Sequence, residues 1–350
     1  LWLMRLDRGP TASFKDFAAR WMSRMLRVVS GGEPQTVLVA TSGDTGSAVG
    51  EAFRDVPGFR VFILYPRDEV SEVQRRQLDH IGANVTALAV EGTFDECQAM
   101  VKQAFLDPEL VPLRLTSANS INIGRILPQA VYYVYAWLRV SAGGGPLAFS
   151  VPSGNLGNSF GCELARRMGL PVSRLILAVN ENDEVPRFLA SGRYEPLVPS
   201  RACLSNAMNV GHPSNLARYV DWYGGVLTRE GQLVRTPDLA TLRAQVVSVS
   251  VSDGETVECI RRWWHERRVL LEPHGAVGVA AFERMGGEPR PAVCLETAHP
   301  AKFPEVIERE LGFVPAPPPA FERLAARTPA VEPLPARYDA LRQRLQREIR

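Results

Sequence analysis

Lysine is scarce in this chain: only three of its 40 cationic residues are lysines, at positions 15, 102 and 302. Arginine supplies the remaining positive charge, but it stays protonated at neutral pH and cannot form a Schiff base. A lysine amine can do so once its pKa is lowered. Lys15 lies in the segment G-P-T-A-S-F-K-D-F, at the predicted start of an amphipathic helix. It is therefore the first candidate for a covalent site.

Other features are also absent, and each absence excludes a class of function. The net charge of +2 gives no electrostatic reason to expect nucleic acid or an anionic membrane as a partner. The five cysteines include no C-x-x-C pair, which predicts buried, reduced thiols in a cytoplasmic protein. No apolar run approaches the ~20 residues of a membrane span. The histidines lack metal-ligand spacing, so we expect no metal site.

The order of apolar and amphipathic segments predicts an α/β fold. Short apolar runs alternate with helix-period segments, as in parallel sheets joined by crossover helices. The predicted strands are Val37–Ala40, Val61–Tyr65, Val85–Val90, Leu147–Val151, Leu175–Val179 and Ala292–Leu295. The predicted helices are 14–29, 46–54, 71–81, 94–106, 123–140, 157–168, 255–268, 273–285 and 303–311, with Ser71 and Thr93 as N-caps.

The 350 residues exceed what one core usually supports, which predicts two domains. The glycine-rich stretch 141–146 indicates the boundary between a smaller domain at 9–144 and a larger one at 145–314. A proline-rich connector and a surface helix are expected over 315–350, the helix at 336–350. The chain begins at Leu1 rather than at a methionine, so we also expect a segment upstream.

Two segments rich in glycine, serine and asparagine follow predicted strands and open predicted helices. They are V-L-V-A-T-S-G-D-T-G-S-A at 37–48 and F-S-V-P-S-G-N-L-G-N-S-F at 149–160. Such loops gather N–H groups at a helix N-terminus, where an anion is favoured. Neither matches the P-loop or G-x-G-x-x-G pattern, so ATP and dinucleotides are not expected. A single loop of this kind could be a structural turn, but two indicate two anionic groups.

Two further segments carry polar side chains. In S-A-N-S-I-N-I-G-R, the side chains of Asn119, Ser120 and Arg125 are suited to binding a phosphate or carboxylate. An N-cap cluster beside a solvated arginine would give the same sequence pattern and is the structural alternative. In L-E-T-A-H-P-A-K-F, Thr297 and His299 follow a predicted strand, and a lone histidine before proline is commonly a turn residue.

A lysine amine together with two anion-binding loops points to pyridoxal phosphate (PLP). At this level of detail the chain resembles the threonine synthase family, from about residue 9 to 312. That family belongs to fold type II of the PLP enzymes (tryptophan synthase β-like), with two domains of mostly parallel sheet and helices on both faces. The stretches that carry the resemblance include G-P-T-A-S-F-K-D-F, A-T-S-G-D-T-G-S-A, S-A-N-S-I-N-I-G-R-I-L-P-Q, V-P-S-G-N-L-G-N, E-P-H-G-A-V-G and T-A-H-P-A-K-F-P.

The resemblance implies a role for each matching position. Lys15 would be the Schiff-base lysine, Asp44 would lie near the cofactor's 3-oxygen, and Thr297 would hydrogen-bond the pyridine nitrogen. The cofactor phosphate would be held by Gly154, Asn155, Leu156, Gly157 and Asn158. The substrate would be held by Ser42, Thr45, Asn119, Ser120 and Arg125. Lys15 and the substrate loops would thus belong to the smaller domain, and the phosphate cradle to the larger one.

Three positions depart from the family pattern. An aromatic residue is usual at Leu156, a glycine at Glu296 and a histidine at Arg8. Leu156 leaves the backbone cradle intact, whereas Glu296 adds a carboxyl group beside Thr297. Of the other lysines, Lys102 lies on a polar helix face and Lys302 lies five residues beyond Thr297, so neither is expected to be the covalent site.

The activity implied is conversion of O-phospho-L-homoserine and water to L-threonine and phosphate, by a monomer or homodimer. A phospho-lyase of the same type, which would release phosphate and ammonia and leave a 2-oxo acid, is an alternative. A serine or threonine dehydratase fits less well, because it has no use for Arg125 and the donors near it. An inactive, truncated subunit is the alternative outside enzymology.

Overall fold

The computed structural model describes residues 1–141 and 143–349. Ala142, in the predicted linker 141–146, and Arg350, at the end of the predicted helix 336–350, lie outside the described residues. The strands of the described part are β1 (Trp2–Arg5), β2 (Gln35–Ala40), β3 (Phe59–Pro66), β4 (Val85–Glu91), β5 (Leu115–Ser117), β6 (Leu147–Pro152), β7 (Val172–Val179), β8 (Val226–Leu227), β9 (Leu233–Arg235), β10 (Val246–Ser250), β11 (Ala292–Glu296) and β12 (Val331–Pro335).

The α-helices complete the secondary structure, together with five short 3₁₀ turns in the described residues. The helices are α1 (Lys15–Val29), α2 (Asp44–Phe53), α3 (Glu72–Asp79), α4 (Phe94–Ala104), α5 (Ala130–Val140), α6 (Gly157–Arg167), α7 (Glu184–Ser191), α8 (Leu216–Trp222), α9 (Leu239–Gln245), α10 (Asp253–Arg267), α11 (Pro273–Arg284), α12 (Pro304–Leu311), α13 (Pro319–Ala325) and α14 (Tyr338–Gln346). The 3₁₀ turns are Pro108–Leu113, Ile123–Arg125, Leu127–Gln129, Asn206–Met208 and Pro300–Lys302.

The chain forms two compact units, and each combines segments distant in sequence. The first unit comprises residues 1–7 and 126–315, and the second comprises 8–125 and 316–350. The predicted boundary lay at residues 144 and 145, whereas the first unit already includes the chain from residue 126. The difference arises because α5 packs within the first unit. Its Tyr133 ring lies 5.1 Å from that of Phe149 on β6, and the Tyr133 hydroxyl donates to Asn158 on α6.

The second unit contains a parallel five-stranded sheet with the order β12-β4-β3-β2-β5. Side chains of β2 alternate between its two faces, as expected for a strand. Val37 and Val39 join a core with α1 and α2, whereas Leu38 and Ala40 join a core with α4 and α14. Helices therefore cover both faces, and the continuous apolar runs of β2–β4 follow from this double burial.

The first unit contains a second parallel five-stranded sheet with the order β1-β11-β6-β7-β10, and β8 and β9 form a separate antiparallel pair. One face packs against α10, α11 and α12. The other carries Phe149, which meets Tyr133 of α5. Both sheets thus match the predicted α/β class.

Local expectations had mixed outcomes. Ser71 and Thr93 are N-caps of α3 and α4, and each forms a reciprocal capping box with the residue three positions on. The predicted single helix 123–140 is wrong: two 3₁₀ turns precede α5, because Pro128 cannot donate an N–H to an α-helical ladder. In the part of the chain that the model covers, no helix combines the length and the apolar character that a membrane crossing requires.

Candidate active site

The candidate substrate residues of the second unit lie at the place where its strand order reverses. From β2 the chain builds outward through β3 and β4 on one side, while β5 pairs with the opposite edge of β2. Loops after the carboxyl ends of two such strands leave a crevice that commonly binds ligands. Ser42 lies in the loop after β2 and Thr45 in the first turn of α2, and both are half-buried; the loop after β5 carries Asn119 and Ser120.

Lys15 is the first residue of α1, as predicted. Its side chain is 17% exposed, and Nζ lies 4.0 Å from Oδ2 of Asp44, the first residue of α2. Asp44 is buried and also accepts a hydrogen bond of 3.1 Å from Gln74 Nε2. The structure thus brings together the predicted covalent lysine and the predicted neighbour of the cofactor's 3-oxygen.

The turn before Lys15 is fixed by the buried Asp16. Its carboxylate accepts the Thr11 N–H at 2.9 Å and the Thr11 hydroxyl at 2.7 Å. A second hydrogen bond of 3.3 Å runs from Gln77 Nε2 to the Thr11 carbonyl. These contacts hold the turn on both sides, so the position at which α1 begins, and hence the base of Lys15, is well defined.

Arg125 is buried rather than solvated, which excludes the alternative left open by the sequence. Its side chain is 4% exposed, and Nη1 donates to the carbonyl of Ala118. Burial lowers the pKa of Arg125 to about 10, and the neighbouring Asp16 opposes this shift. The guanidinium therefore remains cationic at neutral pH. The side chain of Asn119 donates to the Ala40 carbonyl at 2.8 Å, which ties this loop to the end of β2.

In the first unit, the predicted phosphate turn lies at a second reversal of strand order. β7 pairs with one edge of β6 and β11 with the other, so the loops after β6 and β11 adjoin. The turn 153–157 follows β6, and α6 begins at Gly157. Leu156 adopts a left-handed conformation, with φ 60° and ψ 8°. The turn therefore leads directly into the N-terminus of α6, where the first N–H groups have no intrahelical partner.

Gly154 permits a close backbone approach that no other residue would allow. A Cβ atom at this position would lie 2.9 Å from Met208 Cα and 3.0 Å from the Ala207 carbonyl oxygen. Next to it, Asn155 fixes the loop 213–215: its Oδ1 accepts from Ser214, and its carbonyl accepts from Asn215 Nδ2 at 2.9 Å.

The side-chain amide of Asn158 is fixed through its oxygen, while its nitrogen is not used by the described part of the protein. Its Oδ1 accepts the hydroxyls of Tyr132 and Tyr133, the latter at 2.7 Å. Its Nδ2 is buried and has no hydrogen-bond partner among the described residues. A buried amide donor without a partner costs free energy, which a bound acceptor would recover.

Thr297 follows β11 and is almost completely buried. Its hydroxyl lies 3.5 Å from Oε1 of Glu272, the N-cap of α11. Glu296 is also buried, and its Oε1 accepts the Glu272 N–H at 2.9 Å. Burial raises the pKa of Glu296 well above its usual value, and the adjacent Glu272 adds to the rise. Burial therefore favours the protonated form of Glu296.

These residues fit pyridoxal phosphate. The turn 154–158 contains a glycine at a close backbone contact and leads into the N-terminus of α6, a helix of eleven residues. The buried Nδ2 of Asn158 adds a hydrogen-bond donor that the protein does not use. Together these groups suit a phosphate ester. Lys15 offers a partly desolvated primary amine. Thr297 offers a hydroxyl group at the neighbouring switch-point loop.

The other two lysines differ from Lys15 in their surroundings. Lys102 is exposed on α4, as expected for a solvated residue. Lys302 is fully buried at the end of a 3₁₀ turn. Sequence reasoning missed the parts played by Asp16, Glu272 and His274, which lie inside recognised motifs but were given no role. An acidic residue directly before proline at the start of a helical pattern was the available signal for Glu272.

Comparisons with known proteins agree with this geometry. The profile of pyridoxal-phosphate-dependent enzymes matches residues 1–297, and that of the threonine synthase C-terminal region matches 275–344. The threonine synthase of Escherichia coli (strain K12) is 42% identical over 311 residues, 88% of this chain and 69% of the relative. The crystal structure of the Escherichia coli threonine synthase has a TM-score of 0.86 at 40% identity. That of PLP-bound threonine synthase from Brucella melitensis has a TM-score of 0.89 at 35% identity.

Each of these two structures covers 99% of this chain, which in turn spans 78% of each of them. The resemblance, the fold class and the PLP cofactor predicted from the sequence are confirmed by these matches. The individual site residues remain predictions. This chain belongs to the threonine synthase family of pyridoxal-phosphate-dependent enzymes.

Proposed function

We propose that this chain converts O-phospho-L-homoserine and water to L-threonine and phosphate, the last step of threonine biosynthesis. The observation that carries the proposal is the buried cation Arg125, in the loop that follows β5, at the switch point of the second unit. A substrate with a phosphate group and a carboxylate needs such a charge. A dehydratase acting on serine or threonine does not.

The residues of the first unit bind the cofactor. Gly154–Asn158 would hold its phosphate through the N–H groups of the turn and the Asn158 amide, and Thr297 would hydrogen-bond its pyridine nitrogen. Bound in this way, pyridoxal phosphate supplies an electron sink that stabilises negative charge at the substrate's Cα. Leu156 keeps the backbone of the turn, although the family usually has an aromatic residue there.

Lys15 would hold the cofactor covalently in the resting enzyme and would move protons during turnover. With the amine free, Nζ would remove the proton from the substrate's Cα, and a second deprotonation at Cβ would prepare the loss of phosphate from Cγ. Asp44, 4.0 Å from Nζ, orients the amine. Water then supplies the hydroxyl group at Cβ, and protons return to Cγ and Cα, which balances the overall reaction.

The substrate's charged groups are bound by the second unit. Ser42, Thr45, Asn119 and Ser120 supply hydroxyl and amide donors, and Arg125 supplies the positive charge. As the Cγ–O bond breaks, negative charge grows on the departing phosphate. A buried guanidinium stabilises this charge more strongly than it stabilises the bound substrate, which lowers the barrier.

Replacement of the lysine tests the covalent site. Lys15→Ala is expected to lose the absorbance of covalently held cofactor and to lower the rate of threonine formation by at least about 10³-fold, because the proton carrier is removed. Lys102→Ala, which removes an exposed lysine, is the matched control and should behave as the unsubstituted chain. Covalent cofactor retained in Lys15→Ala would show that another amine is responsible.

The products decide the reaction type. The chain is incubated with PLP and O-phospho-L-homoserine, and threonine, phosphate and 2-oxobutyrate are measured together. Equal amounts of threonine and phosphate support the proposal. Phosphate with 2-oxobutyrate and ammonia would identify a phospho-lyase instead, and no turnover with the cofactor bound would overturn the assignment as an enzyme.

We also propose that the enzyme acts in the cytoplasm on a small molecule, as a monomer or homodimer. The five cysteines are buried and free, which supports a reducing compartment. Light scattering of the purified chain measures the oligomeric state directly.

A further inference from the structure

Glu272 and His274 form a buried pair beside Thr297. Neither residue has a role in the proposed mechanism. Glu272 is the N-cap of α11: its Oε1 accepts the Gly275 N–H and its Oε2 accepts the His274 N–H, both at 2.8 Å. Oε2 also lies 2.6 Å from Nδ1 of the His274 ring. Both side chains are almost fully buried. A shorter capping residue would satisfy the same N–H groups without burying a carboxylate, so the cap alone does not explain the pair.

The second ring nitrogen of His274 fixes the protonation state of the ring. Nε2 lies 3.2 Å from the main-chain nitrogen of Ala207, and that N–H can only donate. Nε2 must therefore carry a lone pair, which places the single ring hydrogen on Nδ1. The ring is neutral, and it donates to Glu272 while it accepts from Ala207.

Ala207 leads directly to the phosphate turn. Its carbonyl oxygen and the Cα of Met208 are the atoms that a Cβ at Gly154 would meet, at 3.0 and 2.9 Å. The 3₁₀ turn Asn206–Met208 is thus the surface on which Gly154 rests. A displacement of this turn by a few tenths of an ångström would be transmitted to the backbone of the cradle, because no side chain lies between them.

The other end of the pair reaches Thr297. The Thr297 hydroxyl lies 3.5 Å from Oε1 of Glu272, which is longer than an ordinary O–H···O hydrogen bond and leaves the hydroxyl hydrogen available to the cofactor. Three consecutive contacts therefore connect the turn Asn206–Met208, on which Gly154 rests, with Thr297 in the loop after β11. They run from Ala207 to His274, from His274 to Glu272, and from Glu272 to Thr297.

We propose that Glu272 and His274 are positioning residues that hold the backbone beneath Gly154 and the hydroxyl of Thr297 at one fixed spacing. The inference rests on the proposed roles of the turn 154–158 and of Thr297 in cofactor binding. The pair itself contacts neither cofactor nor substrate. It acts through Ala207 at one end and through Thr297 at the other.

Two substitutions of His274 separate the two ends. His274→Asn puts an amide N–H where Nδ1–H stands and keeps a donor for Glu272, but it is too short to reach Ala207. His274→Gln puts its amide oxygen near the position of Nε2 and keeps an acceptor for Ala207, but it withdraws the donor from Glu272. His265→Asn is the matched control, since His265 is exposed on α10.

The experiment measures PLP affinity of the apoenzyme, the ³¹P NMR shift of the bound phosphate, the absorbance maximum of the bound cofactor and Tm. His274→Asn is expected to weaken PLP binding about tenfold and to move the ³¹P resonance while the absorbance maximum stays in place. His274→Gln is expected to keep the ³¹P resonance and to move the absorbance maximum. Equal ³¹P shifts and equal absorbance maxima in all four proteins would overturn the proposal, whatever happens to Tm.

A measurement on the unsubstituted chain does not depend on whether a variant folds. ¹⁵N NMR of the His274 ring should show the neutral tautomer with hydrogen on Nδ1, and the Nε2 resonance should move when PLP binds. A ring protonated at Nε2, or a resonance indifferent to PLP, would refute the pair's role. If PLP binds and Lys15→Ala abolishes the covalent form while His274 does not respond, only this inference fails. If the chain does not bind PLP, the proposed function fails with it.

Discussion

The raised pKa of Glu296 leads to a prediction about the pH dependence of stability. Its side chain is fully buried, and its Oε2 lies so close to Gly275 that a Cβ there would be 1.7 Å away. Its Oε1 accepts the Glu272 N–H. Glu296→Gln keeps an oxygen for this bond and fills nearly the same volume, but it cannot ionise.

The direction of the effect follows from the raised pKa. Folding takes up a proton at Glu296 at any pH between the unfolded pKa of about 4.5 and the raised folded one. The stability contributed by this group is fully present below the unfolded pKa and is lost as the pH rises toward the folded one. One proton is worth roughly 1 kcal/mol per pH unit. From pH 5 upward, Glu296→Gln should therefore gain about that much per pH unit over the unsubstituted apoprotein.

Urea unfolding of both apoproteins, followed by tryptophan fluorescence at pH 5, 6 and 7, measures the difference. Glu184, whose pKa is raised to about 7 by burial, titrates in both proteins and cancels. Glu96→Gln is the control, because hydrogen bonds from Thr93 lower the pKa of Glu96 and put its contribution at more acid pH. A difference in the free energy of unfolding between Glu296→Gln and the unsubstituted chain that is constant with pH, or that grows toward low pH, would refute the raised pKa.

Two further predictions concern the candidate site. Gly154→Ala should raise the Kd for PLP at least about tenfold, because the new methyl group would lie 2.9 Å from Met208 Cα; fluorescence titration of the apoenzyme measures it, and an unchanged Kd would place the phosphate elsewhere. Arg125→Lys keeps the charge but loses the planar fork, so KM for O-phospho-L-homoserine should rise about 10- to 100-fold in steady-state kinetics with PLP affinity intact. An unchanged KM would remove Arg125 from the substrate site.

The parts of the fold that sequence patterns predicted are those fixed by local rules. Buried parallel strands such as β3 and β6 appear in the sequence as apolar runs, and the N-cap residues of α3 and α4 mark where these helices begin. Strand β12 was missed because V-E-P-L-P contains two prolines, which a strand tolerates only at a sheet edge. Strand β5 has three residues and its side chains are only half-buried, so it offers almost no pattern.

The candidate site divides in the same way. Lys15 and the turn 154–158 could be located from sequence because their residue types and spacing carry the chemistry. The surroundings of Arg125 could not, since its burial depends on the contact with Ala118 and on how the segment 123–129 turns. The link from His274 to Ala207 crosses 67 positions of the chain and leaves no local pattern.

Each sheet pairs an edge strand with a partner that is distant in sequence: Trp2 of β1 pairs with Val293, and Val331 of β12 pairs with Ala87. The ribosome makes β1 long before β11 and β12 long after β4, so neither pairing can form until a long intervening segment has been synthesised. Such long-range pairing slows folding and exposes intermediates to aggregation. It also means that neither half can be cut out as one continuous fragment with its sheet intact.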